Sequence, residues 1–199
     1  MSAPVKHADG AVGLADAVEA ATGESVFNCY QCGKCMAGCP LAEEMDLAPN
    51  QVLRLLQLGQ PGMDEEVLGS LSIWLCLTCE QCSTRCPQEV DIPKITDWLR
   101  QESQRRGLAN KKAKAILAFH TSFLDTIRRG GRLHEVGLIT TFKLRTWRFF
   151  QDVLVAPKLL ARGKLSILPH RIEGHAGVKR IFDRCATEAA DPEHKGNQP

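Results

Sequence analysis

The chain has 199 residues, of which 44% are hydrophobic and 24% charged. These proportions are ordinary for a soluble globular protein and argue against wholesale disorder. The first ten residues contain neither an apolar core nor a twin-arginine pair, so they do not look like a signal peptide. The longest uncharged stretch, from Val67 to Cys79, is shorter than the roughly 20 apolar residues of a membrane helix. The sequence therefore predicts a cytoplasmic protein without a transmembrane segment, in a compartment where thiols stay reduced.

Charge is divided unevenly along the chain. Residues 1–100 hold 6 Lys and Arg against 14 Asp and Glu, a formal charge of −8, whereas residues 101–199 hold 19 against 9, a charge of +10. The basic half either compensates the acidic half within one fold or docks an acidic partner, and the sequence leaves both interpretations open.

The N-terminal region, residues 1–23, is predicted to be a flexible tail followed by a short helix. The segment from Ala11 to Ala21 is rich in alanine and carries Leu14 and Val18 four residues apart. Gly23 follows directly, and glycine is typical of a helix end.

Two cysteine-rich runs follow one pattern. The first extends from Cys29 to Pro40 and the second from Cys76 to Pro87, and both have the form C-x2-C-x2-C-x3-C-P. In this spacing three thiolates of one short loop can bind three irons of a [4Fe-4S] cube, while the fourth cysteine, turned away by the proline, reaches the other cube. We expect one [4Fe-4S] cluster on Cys29, Cys32, Cys35 and Cys86. We expect the second on Cys76, Cys79, Cys82 and Cys39.

Two other uses of these cysteines fit the pattern less well. Structural zinc needs two separated cysteine pairs, and the fourth cysteine and trailing proline of each run are not required for it. A disulfide framework is typical of short secreted chains, whereas this chain is long and has no apparent export signal. Two [4Fe-4S] clusters are the interpretation that the duplicated pattern favours.

Each run is followed by a predicted helix, so the internal repeat is larger than the cysteines. Pro49 introduces a helix over residues 50–58, and Pro93 introduces one over residues 94–106. A glycine follows each, and proline at the start with glycine past the end is the usual asymmetry of helices. The apolar residues at helical spacing are Val52, Leu55, Leu56, Ile95, Trp98 and Leu99.

The spacer between the runs also looks helical. Pro61 to Leu75 is predicted to be one helix with Val67, Leu68, Leu71 and Trp74 on one side. Compact bacterial ferredoxins pair short strands instead, so we expect an all-α domain over residues 24–108 that is stapled by the crossed cluster ligation.

The remaining chain, residues 109–188, is predicted to be a basic helical C-terminal extension, followed by a disordered tail over residues 189–199. A long helix is expected from Ala109 to Arg129, and basic and aromatic residues alternate from Leu138 to Arg162, where Pro157 should break or bend the chain. Such alternation is more typical of a core with a solvated face than of a nucleic-acid surface.

Cys185 lies apart from both runs and is expected to be a free thiol. The six histidines are scattered, and no nucleotide-binding or serine-nucleophile motif is present. The sequence therefore gives no sign of substrate chemistry within this chain, and no catalytic residue is predicted.

The sequence resembles the C subunits of heterodisulfide reductases, from methanogens and related bacterial complexes. The resemblance rests on the two cysteine runs, the helical spacer, the phrase from Gly163 to Gly174, and the ending Val178 to Phe182. It implies an α-helical ferredoxin with two [4Fe-4S] clusters that relays electrons between a flavin and iron–sulfur subunit (A) and a cysteine-rich subunit (B) that handles the disulfide. The C-C-G-type motifs of that cysteine-rich subunit and the membrane helices fused to some relatives are absent from this sequence.

Other functions stay open. The cysteine runs alone are shared with iron–sulfur subunits of succinate dehydrogenase and glutamate synthase, so a relay subunit of another oxidoreductase or a free-standing ferredoxin-like carrier is the main alternative. A cluster-bearing nucleic-acid binder would use the basic half, but no recognition motif supports it.

Overall fold

The computed structural model describes residues 13–60, 62–147, 162 and 172–190, with side chains up to residue 187. Within these ranges the chain is helical and contains no strand, which confirms the expected all-α fold. The chain divides into two compact units at the boundary between Ala113 and Lys114. None of the helices in the described part is long and apolar enough to cross a membrane.

The first unit is built from seven helices within the described residues. They are α1 (Leu14–Thr22), α2 (Lys34–Ala37), α3 (Pro49–Leu58), α4 (Met63–Gly69), α5 (Ser72–Leu75), α6 (Gln81–Arg85) and α7 (Ile92–Arg105). Single turns of 3-10 helix lie at Val26–Asn28, Ala42–Glu44 and Lys111–Ala113. Helix α7 packs against α1, α4 and α5, and α3 packs against α1 and α4.

Apolar side chains from these helices form one core. Its fully buried members are Leu14, Val18, Val26, Leu53, Leu56, Val67, Leu68, Ile73, Val90, Ile95 and Leu99. On α3 the core-facing residue is Leu53 rather than the predicted Leu55, which is half-buried. The face of α3 is therefore rotated from the predicted one, although Val52 and Leu56 are buried as expected.

The helix ends agree closely with the sequence signals. Helix α1 ends at Gly23 and α3 at Gly59, and both glycines have left-handed backbones with φ of 73° and 53°. Pro49 and Pro93 lie in the first turns of α3 and α7 rather than ahead of them, so these helices begin one or two residues earlier than predicted.

The single helix predicted over residues 61–75 is wrong, because the chain breaks between α4 and α5. The Asp46 carboxylate accepts hydrogen bonds from the backbone N–H groups of Leu71 (2.8 Å) and Ser72 (2.9 Å) and from the hydroxyls of Ser70 (2.7 Å) and Ser72 (2.6 Å). These donors are satisfied by Asp46 rather than by the preceding helical turn, so a new helix starts here.

The second unit contains α8 (Lys114–Gly130), α9 (Glu135–Thr146) and α10 (His175–Ala190), and α8 packs against the other two. The ring of Phe119 lies 6.3 Å from that of Phe123 and 6.0 Å from that of Phe142. The helix predicted from Ala109 begins later, at Lys114, because a 3-10 turn precedes it.

Several predictions for the C-terminal half lie outside the described residues. They concern the break at Pro157, most of the phrase from Gly163 to Gly174, and residues 191–199 of the predicted tail. The helix inside the segment from Leu138 to Arg162 ends at Thr146.

Candidate iron–sulfur cluster site

The two cysteine runs lie side by side in the first unit. Helix α2, inside the first run, packs against α6, inside the second. Helix α2 also contacts α3, and α6 contacts α7, so each run is supported by the helix that follows it in sequence. The internal repeat that the sequence indicated is thus a repeat in space as well.

The loops of the two runs share an unusual backbone. The second residue after the first cysteine has a left-handed conformation in both copies, with φ of 65° at Gln31 and 50° at Thr78. The fourth residue does too, with φ of 76° at Gly33 and 60° at Glu80. A left-handed backbone is rare for a β-branched residue such as threonine and costs of order 1–3 kcal/mol at a non-glycine position. The fold therefore holds the second loop in a strained shape that copies the first.

Four cysteines from both runs line one cavity. Cys39, the last cysteine of the first run, borders the same space as Cys76, Cys79 and Cys82 of the second. The walls are largely apolar and come from three helices, with Val52, Leu53, Ile73, Ile92 and Ile95 among the lining residues. The structure thus brings together the four residues that the sequence assigned to the second cluster.

The other set is linked through Tyr30. Partial loss of solvent raises the pKa of the Tyr30 phenol, and a hydrogen bond to Cys32 and the nearby thiol groups of Cys32, Cys86 and Cys29 raise it further. Cys86 of the second run therefore lies close enough to the first run to influence the same phenol as Cys29 and Cys32.

The fourth member of that set, Cys35, is the most buried cysteine of the two runs. Burial raises the pKa of the Cys35 thiol to about 11, and the charges of Cys29 and Cys82 add to this effect. Burial also raises the pKa of Cys82. Both groups need a cationic partner to become thiolates, and coordinated iron is such a partner.

The remaining properties of the donors can be stated briefly. All nine cysteines are free thiols, and Cys185 lies exposed on α10 of the second unit. In the part of the chain that the structure describes, no group of three or more His, Cys, Asp or Glu side chains has the arrangement of a single-ion site. The soft sulfur donors and their apolar surroundings fit an iron–sulfur cluster.

Lys34 and Arg85, the basic residues inside the runs, are both exposed. The guanidinium of Arg85 lies over Gly38, where an added Cβ would come within 2.5 Å of Nη1. Gly38 therefore leaves room for this side chain next to Cys39.

Two residues that sequence reasoning missed anchor the runs from the following helices. The Gln57 side-chain amide on α3 donates hydrogen bonds to the carbonyl oxygens of Val26 (2.8 Å) and Cys29 (2.7 Å). The Arg100 guanidinium on α7 donates in the same way to the carbonyl oxygens of Ile73 and Cys76. Gln57 lies eight residues after Pro49 and Arg100 seven after Pro93, so aligning the two halves of the repeat could have found the pair.

The first run has a further contact. The Gln31 amide donates to the Cys29 sulfur at 3.4 Å, and Asn50 of α3 donates to the Gln31 side-chain oxygen at 3.5 Å. Hydrogen bonds to ligand sulfur are among the features by which a protein tunes a cluster.

Comparison with known families agrees with this geometry. Residues 25–90, which hold all eight cysteines of the two runs, match the 4Fe-4S dicluster domain. This stretch is therefore a 4Fe-4S dicluster domain, and its cofactor type is the [4Fe-4S] cluster.

Known relatives confirm the predicted resemblance. The chain is 30% identical over 106 residues to the C subunit of the H(2):CoB-CoM heterodisulfide,ferredoxin reductase of Methanothermobacter thermautotrophicus, a match that covers 53% of this chain and 56% of the relative. It is 38% identical over 100 residues to the iron-sulfur C 2 subunit of the CoB--CoM heterodisulfide reductase of Methanocaldococcus jannaschii, covering 48% of this chain and 52% of the relative. The chain thus spans about half the length of these curated relatives.

A relative from another enzyme matches more of the chain at lower identity. It is the 8-methylmenaquinol:fumarate reductase iron-sulfur subunit of Wolinella succinogenes, 25% identical over 181 residues, or 84% of this chain and 54% of the relative. Together the comparisons support an iron–sulfur electron-transfer subunit.

Proposed function

We propose that the chain holds two [4Fe-4S] clusters by crossed ligation. One set is Cys29, Cys32, Cys35 and Cys86, and the other is Cys76, Cys79, Cys82 and Cys39. The observation that carries the proposal is the position of Cys39, which lines a cavity with three cysteines of the other run. The influence of Cys86 on Tyr30, beside Cys29, supports the reciprocal exchange.

The chemistry that such clusters supply is one-electron transfer. The protein contributes the sulfur donors, the apolar walls of the cavity and the fixed separation of the two sets. The packing of α2 on α6 and the proximity of Cys35 to both Cys29 and Cys82 place the two sets next to each other. Neighbouring sets of this kind are suited to pass an electron from a donor on one side to an acceptor on the other.

Within that role, we infer that the chain is the relay subunit of a heterodisulfide-reductase-type complex. Its partners would be an A-type flavin and iron–sulfur subunit and a B-type cysteine-rich subunit. The names of the methanogen relatives support this assignment. The chain contains no adjacent cysteine pair, so the disulfide chemistry would belong to the partner and not to this subunit.

The second candidate is a relay subunit of a different oxidoreductase, or a free-standing carrier. The fumarate reductase subunit favours the former, because its similarity extends over 84% of this chain. A free-standing carrier would exchange electrons with several enzymes without staying bound to any of them.

Gentle anaerobic purification of the chain from its native host tests the choice. Co-purification with a cysteine-rich subunit and a flavoprotein is the result expected for the heterodisulfide-reductase type. Co-purification with subunits of another oxidoreductase, or elution of the iron-loaded chain by itself, would replace that assignment by one of the alternatives. A zinc-loaded chain would contradict the electron-transfer role altogether.

A further inference from the structure

The helices that follow the two cysteine runs hold them by one device with different side chains. Gln57 bonds the carbonyl oxygens of Val26 and Cys29, and Arg100 bonds those of Ile73 and Cys76. In each case the second carbonyl belongs to the first cysteine of the run. The geometry is therefore repeated, while the chemical nature of the donor is not.

The difference between the two donors is a full charge. The amide of Gln57 is neutral, whereas a guanidinium carries a positive charge at any pH at which proteins are folded. The Arg100 side chain is only 16% exposed, so water screens its charge less than the charges of the exposed Lys34 and Arg85.

Counter-charges in the neighbourhood offset Arg100 only in part. Its Nη1 lies 2.9 Å from the Asp97 carboxylate on the same helix, but that side chain is 54% exposed and faces water. Glu80, next to Cys79, is exposed as well. The buried side of Arg100 points to the carbonyls of the second run, and there its charge acts through a less polar medium.

We propose that Arg100 raises the reduction potential of the cluster bound by Cys76, Cys79, Cys82 and Cys39. The exchange of Gln57 for Arg100 would then separate the potentials of two clusters whose loops are otherwise alike. The physical reason is that reduction adds an electron to a site that already carries negative charge, and a fixed cation nearby stabilises the reduced form. The inference rests on the proposed function, because it requires both clusters. It makes the second run the side on which a shared electron resides.

The test is an anaerobic redox titration of the full chain followed by electron paramagnetic resonance. The variant Arg100→Gln gives the second run the donor type of the first. We expect the one-electron reduction equilibrium of the second cluster to fall about tenfold, which corresponds to about 59 mV, with the first cluster unchanged. The signal that disappears in Cys39→Ala identifies the second cluster.

Two matched variants separate charge from anchoring. Asp97→Asn leaves Arg100 and its carbonyl contacts in place and removes the counter-charge, so the same potential should rise. Arg100→Lys keeps the charge and gives up the two-pronged contact, so the potential should stay close to that of the unaltered chain while the loop loses stability.

The outcomes are distinguishable from failure of the proposed function. If both clusters assemble and Arg100→Gln leaves both potentials unchanged, the inference is overturned while the relay role stands. If Arg100→Gln cannot hold the second cluster, Asp97→Asn decides, because an unchanged or lowered potential there overturns the inference. If the unaltered chain binds no iron, the proposed function and the inference fall together.

Discussion

The Asp46 carboxylate accepts hydrogen bonds from both the backbone N–H and the hydroxyl of Ser72, four residues before Cys76. The Ser72 hydroxyl also accepts a hydrogen bond from the backbone N–H of Leu47 at 2.8 Å. The loop that enters α3 is thereby tied to the start of α5, which leads directly into the second cysteine run. A single carboxylate thus connects the two halves of the repeat.

Removal of this carboxylate should destabilise the first unit. We expect Asp46→Ala to lower the free energy of unfolding by about 1–2 kcal/mol, the usual range for the loss of a helix N-cap. Denaturant unfolding of the anaerobic chain monitors the change. Asp46→Asn is the matched control, because it keeps one acceptor oxygen and should lose less. Equal stability of Asp46→Ala and the unaltered chain would show that the contact contributes nothing.

The same residue predicts a pH dependence. Burial raises the pKa of Asp46, but the hydrogen bonds from Ser70, Ser72 and Leu71 outweigh burial and lower it well below its usual range. A lowered pKa contributes stability that is fully present above the unfolded value, about 3.9, and is lost as the pH falls towards the folded value. The stability gap between the unaltered chain and Asp46→Asn should therefore narrow as the pH falls from 5 to 3.

That gap is measured by helical circular dichroism in denaturant, with both proteins at the same pH so that acid damage to the cofactor affects them alike. A gap that stays constant over this range would mean that the Asp46 charge does not stabilise the fold.

The left-handed positions of the two loops predict opposite responses to substitution. Gly33 has φ of 76° with nothing within 4 Å of an added Cβ, so Gly33→Ala should cost about 1–2 kcal/mol from backbone conformation alone. Glu80 occupies the equivalent position with φ of 60°, and Glu80→Gly should be near neutral or stabilising, because relief of strain opposes the added entropy of the unfolded chain. Thermal unfolding of both variants measures the difference. Destabilisation by Glu80→Gly equal to that by Gly33→Ala would contradict the strain.

Gln57 predicts damage confined to one run. Gln57→Leu leaves the carbonyl oxygens of Val26 and Cys29 without their donor, at a cost of about 1–3 kcal/mol if both become buried and unpaired. Iron at the first run should then be lost faster in air, whereas iron at the second run should be retained. Gln60→Leu, on the exposed residue just past α3, is the control and should behave as the unaltered chain. Equal loss of iron from both runs would rule out a local role for Gln57.

The cysteine spacing and the helix signals predicted most of the first unit. Proline in the first turns and glycine past the ends located α1, α3 and α7 to within a few residues, because these signals act through local backbone geometry. The break between α4 and α5 could not be predicted in this way. It depends on Asp46, which is more than twenty residues away in sequence and reaches the break only in the folded chain.

The candidate site shows the same division. The eight cysteines were evident from a local pattern, whereas Gln57 and Arg100 were missed because their partners are backbone carbonyls of distant residues. Neither side chain belongs to a motif. Only the position of each within the repeated helix links it to the cysteines, and that link becomes visible once the repeat is seen in space.

Crossed ligation is most directly tested by iron content and electron paramagnetic resonance of two variants, Cys39→Ala and Cys86→Ala, prepared anaerobically. Cys39 lies in the first run but lines the cavity of Cys76, Cys79 and Cys82. Its replacement should abolish or convert the signal of the second-run cluster, and Cys86→Ala should do the same to the first-run cluster. Loss of the first-run cluster from Cys39→Ala, with the second intact, would contradict the crossed arrangement.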